Sequence, residues 1–125
     1  MKLSVLIPLY NDENYIGYCI NSLINQDLPK EDYEVIIMDD GSTDGSLEIA
    51  KSVNDSRVRV YSDGKNKKLA TRLNEIAQLA SYEYIARMDA DDIMSSDRLE
   101  RQIKILDENR STIIGIRYHT LSTIE

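Results

Sequence analysis

The sequence predicts an α/β fold, a three-layer sandwich whose mainly parallel sheet carries helices on both faces. Three observations predict it. Apolar runs alternate with helical stripes through the whole chain, and that order demands right-handed crossovers between parallel strands. The runs at Leu3 to Leu9 and Tyr33 to Met38 are nearly continuous, as in strands covered on both faces. The polar clusters Tyr10-Asn11, Asp39-Asp40 and Asp89 to Asp92 each close an apolar run, and ligands of such sheets bind beyond the carboxyl ends of the strands.

Taken in order, Leu3 to Leu9 is the first strand. Residues 14–26 then place Ile16, Ile20, Leu23 and Ile24 on one helical face, with Asn11 or Asp12 as cap. Asp27-Leu28-Pro29-Lys30 breaks that helix. Tyr33 to Met38 is the second strand. Ser42 to Asp44 supplies caps for a helix running to about Val53. Arg57 to Tyr61 alternates as a third strand, with Val58 and Val60 on one face. Leu69, Leu73, Ile76, Ala77 and Ala80 form the next helical stripe. Tyr82 to Met88 is the fourth strand. Asp97 and Glu100 resemble a capping box for a helix continued by Leu99, Ile103 and Leu106. Thr112 to Ile116 reads as a fifth strand.

The 125 residues suit one domain, spanning 1–125, with one modest core. The net charge of −7 argues against nucleic acid as a partner and against docking on anionic lipid through a basic surface. No apolar run reaches the length of a membrane span. Cys19 is the only cysteine, so an internal disulfide and a cysteine-based zinc site are excluded. A reducing, cytoplasmic setting fits. There is no glycine fingerprint after the first strand and no Walker-type phosphate loop. A serine or cysteine triad would have to use His119, the only histidine.

Three clusters could carry chemistry. Asp89, Asp91 and Asp92 place carboxylates side by side at a strand end. They repel one another unless water or a cation compensates, and hard cations such as Mg²⁺ or Mn²⁺ prefer such oxygens. A solvated acidic turn is the plainer reading. Asp39-Asp40-Gly41-Ser42 is either a strand end with a helix cap or a site where a carboxylate accepts from a base N–H or a ribose hydroxyl. Lys65, Lys67, Lys68 and Arg72 form a basic island that could meet a diphosphate or simply face solvent. Cys19 lies on an inner helical stripe and reads as core.

In this order and spacing the clusters resemble the inverting glycosyltransferase family 2, which has the Rossmann-like GT-A fold. The resemblance is carried by Val5-Leu6-Ile7-Pro8-Leu9-Tyr10-Asn11 with Glu13, by Ile37-Met38-Asp39-Asp40-Gly41-Ser42-Thr43-Asp44, and by Tyr84 to Asp92 followed by Arg98-Leu99-Glu100. It implies that Pro8, Tyr10 and Glu13 lie around the base and ribose of a nucleotide-diphospho-sugar donor, a UDP-sugar. Asp40 would hydrogen-bond the base, with Asp39 in support. Arg72 would stand near the diphosphate or base, although Leu73 replaces the asparagine that often follows that arginine. Asp89 would face the ribose or metal, and Asp91 would ligate Mn²⁺ or Mg²⁺.

The resemblance also implies transfer to an acceptor hydroxyl on a glycan or lipid-linked molecule, in bacterial cell-envelope polysaccharide synthesis. A complete domain of this kind continues beyond the fifth strand, and nothing after Asn109 supplies a convincing general base. The expectation is therefore a truncated GT-A domain, its N-terminal nucleotide-binding half, in a protein that is cytoplasmic or peripheral to the inner membrane. Its open sheet edge invites a homodimer. A catalytically incomplete donor-binding fragment and a receiver-like signalling domain are the alternatives. The second is disfavoured because the first strand ends in Pro8-Leu9-Tyr10-Asn11 rather than an acid pair.

Overall fold

Strands β1 (Leu3–Leu9) and β2 (Tyr33–Asp39) are the most apolar segments of the chain and become its central pair. Helix α1 (Ile16–Ile24) connects them. Helix α2 (Ser46–Lys51) leads to β3 (Val58–Ser62), α3 (Leu69–Leu79) to β4 (Tyr84–Arg87), and α4 (Arg98–Glu108) follows. This computed structural model describes residues 2–108, so the expected strand at 112–116, the tail and His119 lie outside it.

The four strands lie in the order β3-β2-β1-β4 and every pair is parallel. The sheet is thus wholly parallel among the described residues. In a receiver-type sheet β3 would lie beside β1. Here β4 takes that place, which removes the signalling alternative.

Alternation along the strands separates two cores. Val5, Ile7, Val35 and Ile37 face Ile16, Cys19, Ile20 and Leu23 of α1, with Ala50 of α2 and Leu99 of α4. Leu6, Ile36 and Met38 face α3 through Ile76, with Leu79, Ala80 and Tyr61 packed around them. Helices therefore cover both faces, as the sequence predicts. Cys19 is core: burial, and then the nearby Asp92, push its thiol up to about 12, which leaves it inert as a nucleophile.

Several local expectations change. Helix α1 begins at Ile16, and neither Asn11 nor Asp12 caps it with a side chain. The backbone carbonyl of Asp12 accepts from Tyr15 and Ile16 instead, because the Asn11 side chain is taken by Thr43 at 2.8 Å. Helix α2 stops at Lys51, short of Val53. In α3 the inward face holds Arg72 and Ile76, while Leu69 and Ala77 are exposed. The helix turns this way because the buried Arg72 finds three acidic partners, Asp40 inside and Asp63 and Glu75 nearer the surface. Leu99 is buried as expected and Ile103 packs behind it; the Leu106 side chain is outside the described set.

Buried polar groups are paired where the sheet needs them. Glu34 accepts from Ser4 Oγ and the Ser81 N–H, each at 2.6 Å, and from Arg59 at 2.6 Å. Burial alone would raise its carboxyl, but these donors outweigh it and hold it below the usual range. Beside the amino end of β3, Arg57 grips Asp55 at 2.7 Å and holds that carboxyl at about 2. Both clusters tie strands to helices far from the polar strand ends.

Candidate functional site

The chain runs outward from β1 through β2 to β3, then crosses back to lay β4 on the other side of β1. The crevice made by such a reversal, at the carboxyl ends of the strands, is where ligands bind in doubly wound sheets. A cleft of about 440 Å³ opens there. Pro8, Leu9 and Tyr10 from the end of β1 form its floor. Asp40 enters from β2, and Arg87, Asp89, Ala90 and Asp91 from β4. Asn66, Lys68, Leu69 and Arg72 close it from the start of α3.

Six of the eight predicted site residues therefore meet in one cleft: Pro8, Tyr10, Asp40, Arg72, Asp89 and Asp91. Two do not line it. Asp39 is 1% exposed and braces the turn. Its Oδ2 accepts from the N–H groups of Gly41 and Ser42, both at 3.1 Å, and its Oδ1 has no partner among the described residues. Glu13 points away and accepts from the Gly45 N–H at 2.9 Å, an anion at the start of α2.

Asp40 and Arg72 are the best-held pair. Asp40 Oδ1 accepts from Arg72 Nε at 2.8 Å and from the Lys67 N–H at 2.7 Å, and Oδ2 accepts from Asn66 Nδ2 at 3.1 Å. Burial opposes ionisation of Asp40, yet these donors hold it below the usual carboxylate range. Arg72 is 1% exposed. Its remaining donors reach Asp63 at 2.7 and 3.2 Å, Glu75 at 2.8 Å and the Lys65 carbonyl. All five guanidinium N–H groups are occupied, and the partners, Asp63 foremost, raise its pKa further. Arg72 borders the cleft but has no donor left for a ligand. Its sequence-level placement by the diphosphate or base meets a side chain already saturated.

The loop 63–68 is shaped to this arrangement. Gly41 has φ +76°, and a Cβ there would lie 2.9 Å from the Lys65 carbonyl carbon and 3.1 Å from the Asn66 nitrogen. Of the basic island, Lys67 pairs with Asp63 at 3.0 Å and Glu75 at 3.2 Å. Lys68 instead lines the cleft. Its φ of 73° and ψ of 163° lie in a region that favours glycine, a strain of about 1–3 kcal/mol of the kind found at ligand sites. Lys68→Gly relieves it, and the added chain freedom of glycine takes back up to about 1 kcal/mol. The expected result is a Tm higher by a few degrees with weaker binding of a diphosphate ligand. A lower Tm would remove the strain argument.

At the other end the cleft is acidic. Carboxylate oxygens of Asp89, Asp91 and Asp92 lie within 4.8 Å of one another. Asp89 also accepts from Arg87 at 3.1 Å. The Asp92 Oδ2 is buried without a partner among the described residues. Asp12 completes the pole: burial, then Asp91 and Asp44, push its carboxyl up. All-oxygen donors, mutual repulsion and an orphaned buried oxygen together fit a hard divalent cation.

Sequence reasoning missed Asp12, Asn66 and Arg87 as cleft residues, and of the basic island it named, Lys68 and Arg72 line the cleft while Lys65 and Lys67 do not. Asp12 was legible, since it directly follows the polar end of β1. Arg87 sits on the last residue of β4 and could have been found the same way. Asn66 lies in a loop with no periodic signal, and only the tertiary contacts of Asp40 place it.

Comparison with known proteins agrees with this geometry. The description of Glycosyl transferase family 2 matches residues 4–123. The chain is 40% identical over 116 residues to a poly(ribitol-phosphate) beta-glucosyltransferase of Bacillus spizizenii, covering 90% of this chain and 18% of that protein. It superposes on Staphylococcus aureus TarS 1–349 in complex with UDP-GlcNAc with a TM-score of 0.81 and 34% identity, covering 88% of this chain and 32% of that one. The mannosyltransferase PcManGT of Pyrobaculum calidifontis, in complex with GDP-Man and Mn²⁺, gives a TM-score of 0.78 at 26% identity, covering 84% and 32%. The chain thus spans only a minority of the length of each of these relatives. A cleft at the sheet reversal, an acidic pole at β4 and a match across almost the whole chain converge: this chain has the GT-A fold and belongs to glycosyl transferase family 2.

Proposed function

We propose that the chain is the donor-binding portion of an inverting glycosyltransferase that takes a UDP-sugar. The observation that carries this reading is the shared cleft, which puts the Asp40 carboxylate at one end and the Asp89, Asp91 and Asp92 oxygens at the other. A nucleoside diphosphate has matching ends, a base with N–H groups and a diphosphate that binds hard cations. Asp40 accepts from the base, and Tyr10, 47% exposed on the floor, offers its ring to base or ribose. Lys68, which lines the cleft beside Arg72 and Arg87, offers a cation to the diphosphate. Asp91 and Asp89, with Asp92 beside them, would hold Mn²⁺ or Mg²⁺. When bound, such an ion acts as a Lewis acid for the charge that develops on the leaving diphosphate.

An acceptor hydroxyl attacks the anomeric carbon and gives its proton to a carboxylate base. No described residue is assigned as that base. The acceptor in this reading is a hydroxyl of a glycan or lipid-linked molecule of the bacterial cell envelope; two relatives are named for glycosyl transfer to poly(ribitol-phosphate). Calorimetry with UDP tests the donor half: binding is expected with Mn²⁺ and is lost with a chelator, and no binding with Mn²⁺ present would sink the reading.

Two placements accompany this reading. The protein works in the cytoplasm or at the inner face of the membrane; no described helix is long and apolar enough to cross one. β3 is an edge strand of the described sheet, and its open hydrogen-bonding groups favour a homodimer. Sizing chromatography and cell fractionation check these placements. A strict monomer removes the dimer, and a secreted product removes the location.

A further inference from the structure

Sheet pairing along β4 ends at Met88, whose N–H donates to the Leu6 carbonyl at 3.0 Å. The carboxylates of Asp89, Asp91 and Asp92 follow, on backbone past the last strand pair. Their mutual repulsion works to spread the turn they stand on. Something other than the sheet must keep that turn in place, and it comes from α1.

Cys19, Ser22 and Gln26 recur at helical spacing and meet the segment one after another. Cys19 Sγ donates to the Asp89 carbonyl at 3.7 Å. Ser22 Oγ accepts from the Met94 N–H at 3.0 Å and donates to the Cys19 carbonyl at 2.7 Å. Gln26 lies just past α1 and is 7% exposed. Its Nε2 donates to the Ser22 carbonyl at 2.9 Å and to the Ser95 carbonyl at 2.8 Å, and its Oε1 accepts from the Leu99 N–H at 3.1 Å. Two carbonyls and one N–H leave the amide a single orientation. Gln26 thereby joins a late carbonyl of α1 to an early N–H of α4, groups of the kind a helix leaves unpaired. A buried amide is costly unless its polar atoms are met. Here both are met by the segment that leads from the carboxylates into α4.

The neutrality of these groups matters. A lysine or arginine would also grip the segment, but it would neutralise the carboxylates and compete with a cation. An amide and a hydroxyl hold the backbone and leave the charge in full. The ties come from one helix, so the segment can part from α1 without breaking a strand pairing or an ion pair.

We propose that Gln26 and Ser22 are positioning residues for the acidic pole of the cleft: they fix residues 94–99 on α1 and so set where Asp91 and Asp92 present their oxygens. This inference rests on the reading that those carboxylates hold Mn²⁺ or Mg²⁺. Neither Gln26 nor Ser22 lines the cleft.

Two measurements on the chain test this, one with metal and one without. UDP titrations at graded Mn²⁺ give the Mn²⁺ needed for half-maximal binding. In Gln26→Leu that requirement is expected to rise about tenfold, the low end of what supporting residues of metal sites contribute. Ser22→Ala, which keeps the amide, is expected to raise it less. Without metal or nucleotide, amide hydrogen exchange is expected to quicken at Leu99 in Gln26→Leu and at Met94 in Ser22→Ala, while the amides of β1 and β2 keep their rates. Asn25→Ala removes an exposed neighbour that bonds Asn21 and is expected to change neither readout. A purely structural role lowers Tm but leaves the Mn²⁺ requirement of the folded protein where it was, and that result overturns the proposal. So does exchange at Leu99 and Met94 that stays slow. If Gln26→Leu does not fold, Ser22→Ala is judged by the same two readouts. Wild-type binding that needs Mn²⁺, with variants that match it, overturns this inference alone. Wild-type protein that binds UDP without metal, or not at all, overturns the metal reading and this inference with it.

Discussion

Asp91→Asn is expected to abolish metal-dependent nucleotide binding and to lower sugar transfer by about 10²–10³-fold, the usual cost of removing one group that stabilises developing charge. Asp91 is exposed at the cleft wall, within 4.8 Å of the Asp89 and Asp92 oxygens. Asparagine keeps the shape and one oxygen but removes the charge a divalent cation needs. The fold should not suffer. The change takes a charge from a cluster of adjacent carboxylates, one that adds to burial in raising the carboxyl of Asp12, so Tm should hold or rise. The loss would therefore report on the site and not on unfolding. Titration of UDP with and without Mn²⁺ reads it, and undiminished metal-dependent affinity in the variant would remove Asp91 from the ligand set. The same change at exposed Asp107 on α4 is expected to leave binding unaltered.

The second large effect is on stability. Gly41 and Gly64 have nearly the same backbone, with φ of +76° and +74°, but opposite surroundings. A Cβ at Gly41 meets the backbone of Lys65 and Asn66, whereas at Gly64 nothing lies within 4 Å. Left-handed strain alone costs an alanine about 1–2 kcal/mol, and this is the expected loss for Gly64→Ala. Gly41→Ala adds an overpacking cost of about 1–3 kcal/mol, because backbone atoms held by Asp40 and Arg72 must give way. Denaturant unfolding of the two variants measures the difference. Nucleotide affinity should fall with Gly41→Ala, since the displaced residues are those that position Asp40. Equal losses at the two glycines would mean that loop 65–66 is free to move.

The fold was readable because parallel, two-sided burial leaves a plain trace in sequence. The runs Leu3 to Leu9 and Tyr33 to Met38 carry that trace, and they are the central strands. The acidic and aromatic residues at the strand ends were readable for the same reason: the end of an apolar run marks the edge of the cleft. What sequence could not supply was the choice of partners. Nothing in the spacing of Asp40, Asp63, Arg72 and Glu75 says that they form one cluster around a buried guanidinium. A basic side chain beside an expected diphosphate is naturally assigned to it. The packing of α3 turns Arg72 inward, and the helix stripe drawn through Leu69 and Ala77 fails for that reason. Glu13 likewise lies outside the cleft lining, where its carboxylate accepts from the Gly45 N–H in the loop after β2.

The loops after β1 and β2 are stitched together by side chains: Asn11 Oδ1 to the Thr43 N–H, Ser42 Oγ to the Asn11 N–H, Ser46 Oγ to the Asp12 N–H, and Glu13 to Gly45. The half of the cleft that carries Tyr10, Asp12 and Asp40 is consequently ordered during folding, before any nucleotide arrives. Association then loses little conformational entropy on that side. Residues 63–68 are held by Asp40 and Arg72, so whatever opens to admit the nucleotide or let it go must come from the segments that follow β4. Dissociation rate should therefore respond to changes in those segments far more than to changes in the stitched pair, which divides the cleft into a rigid seat and the parts that set residence time.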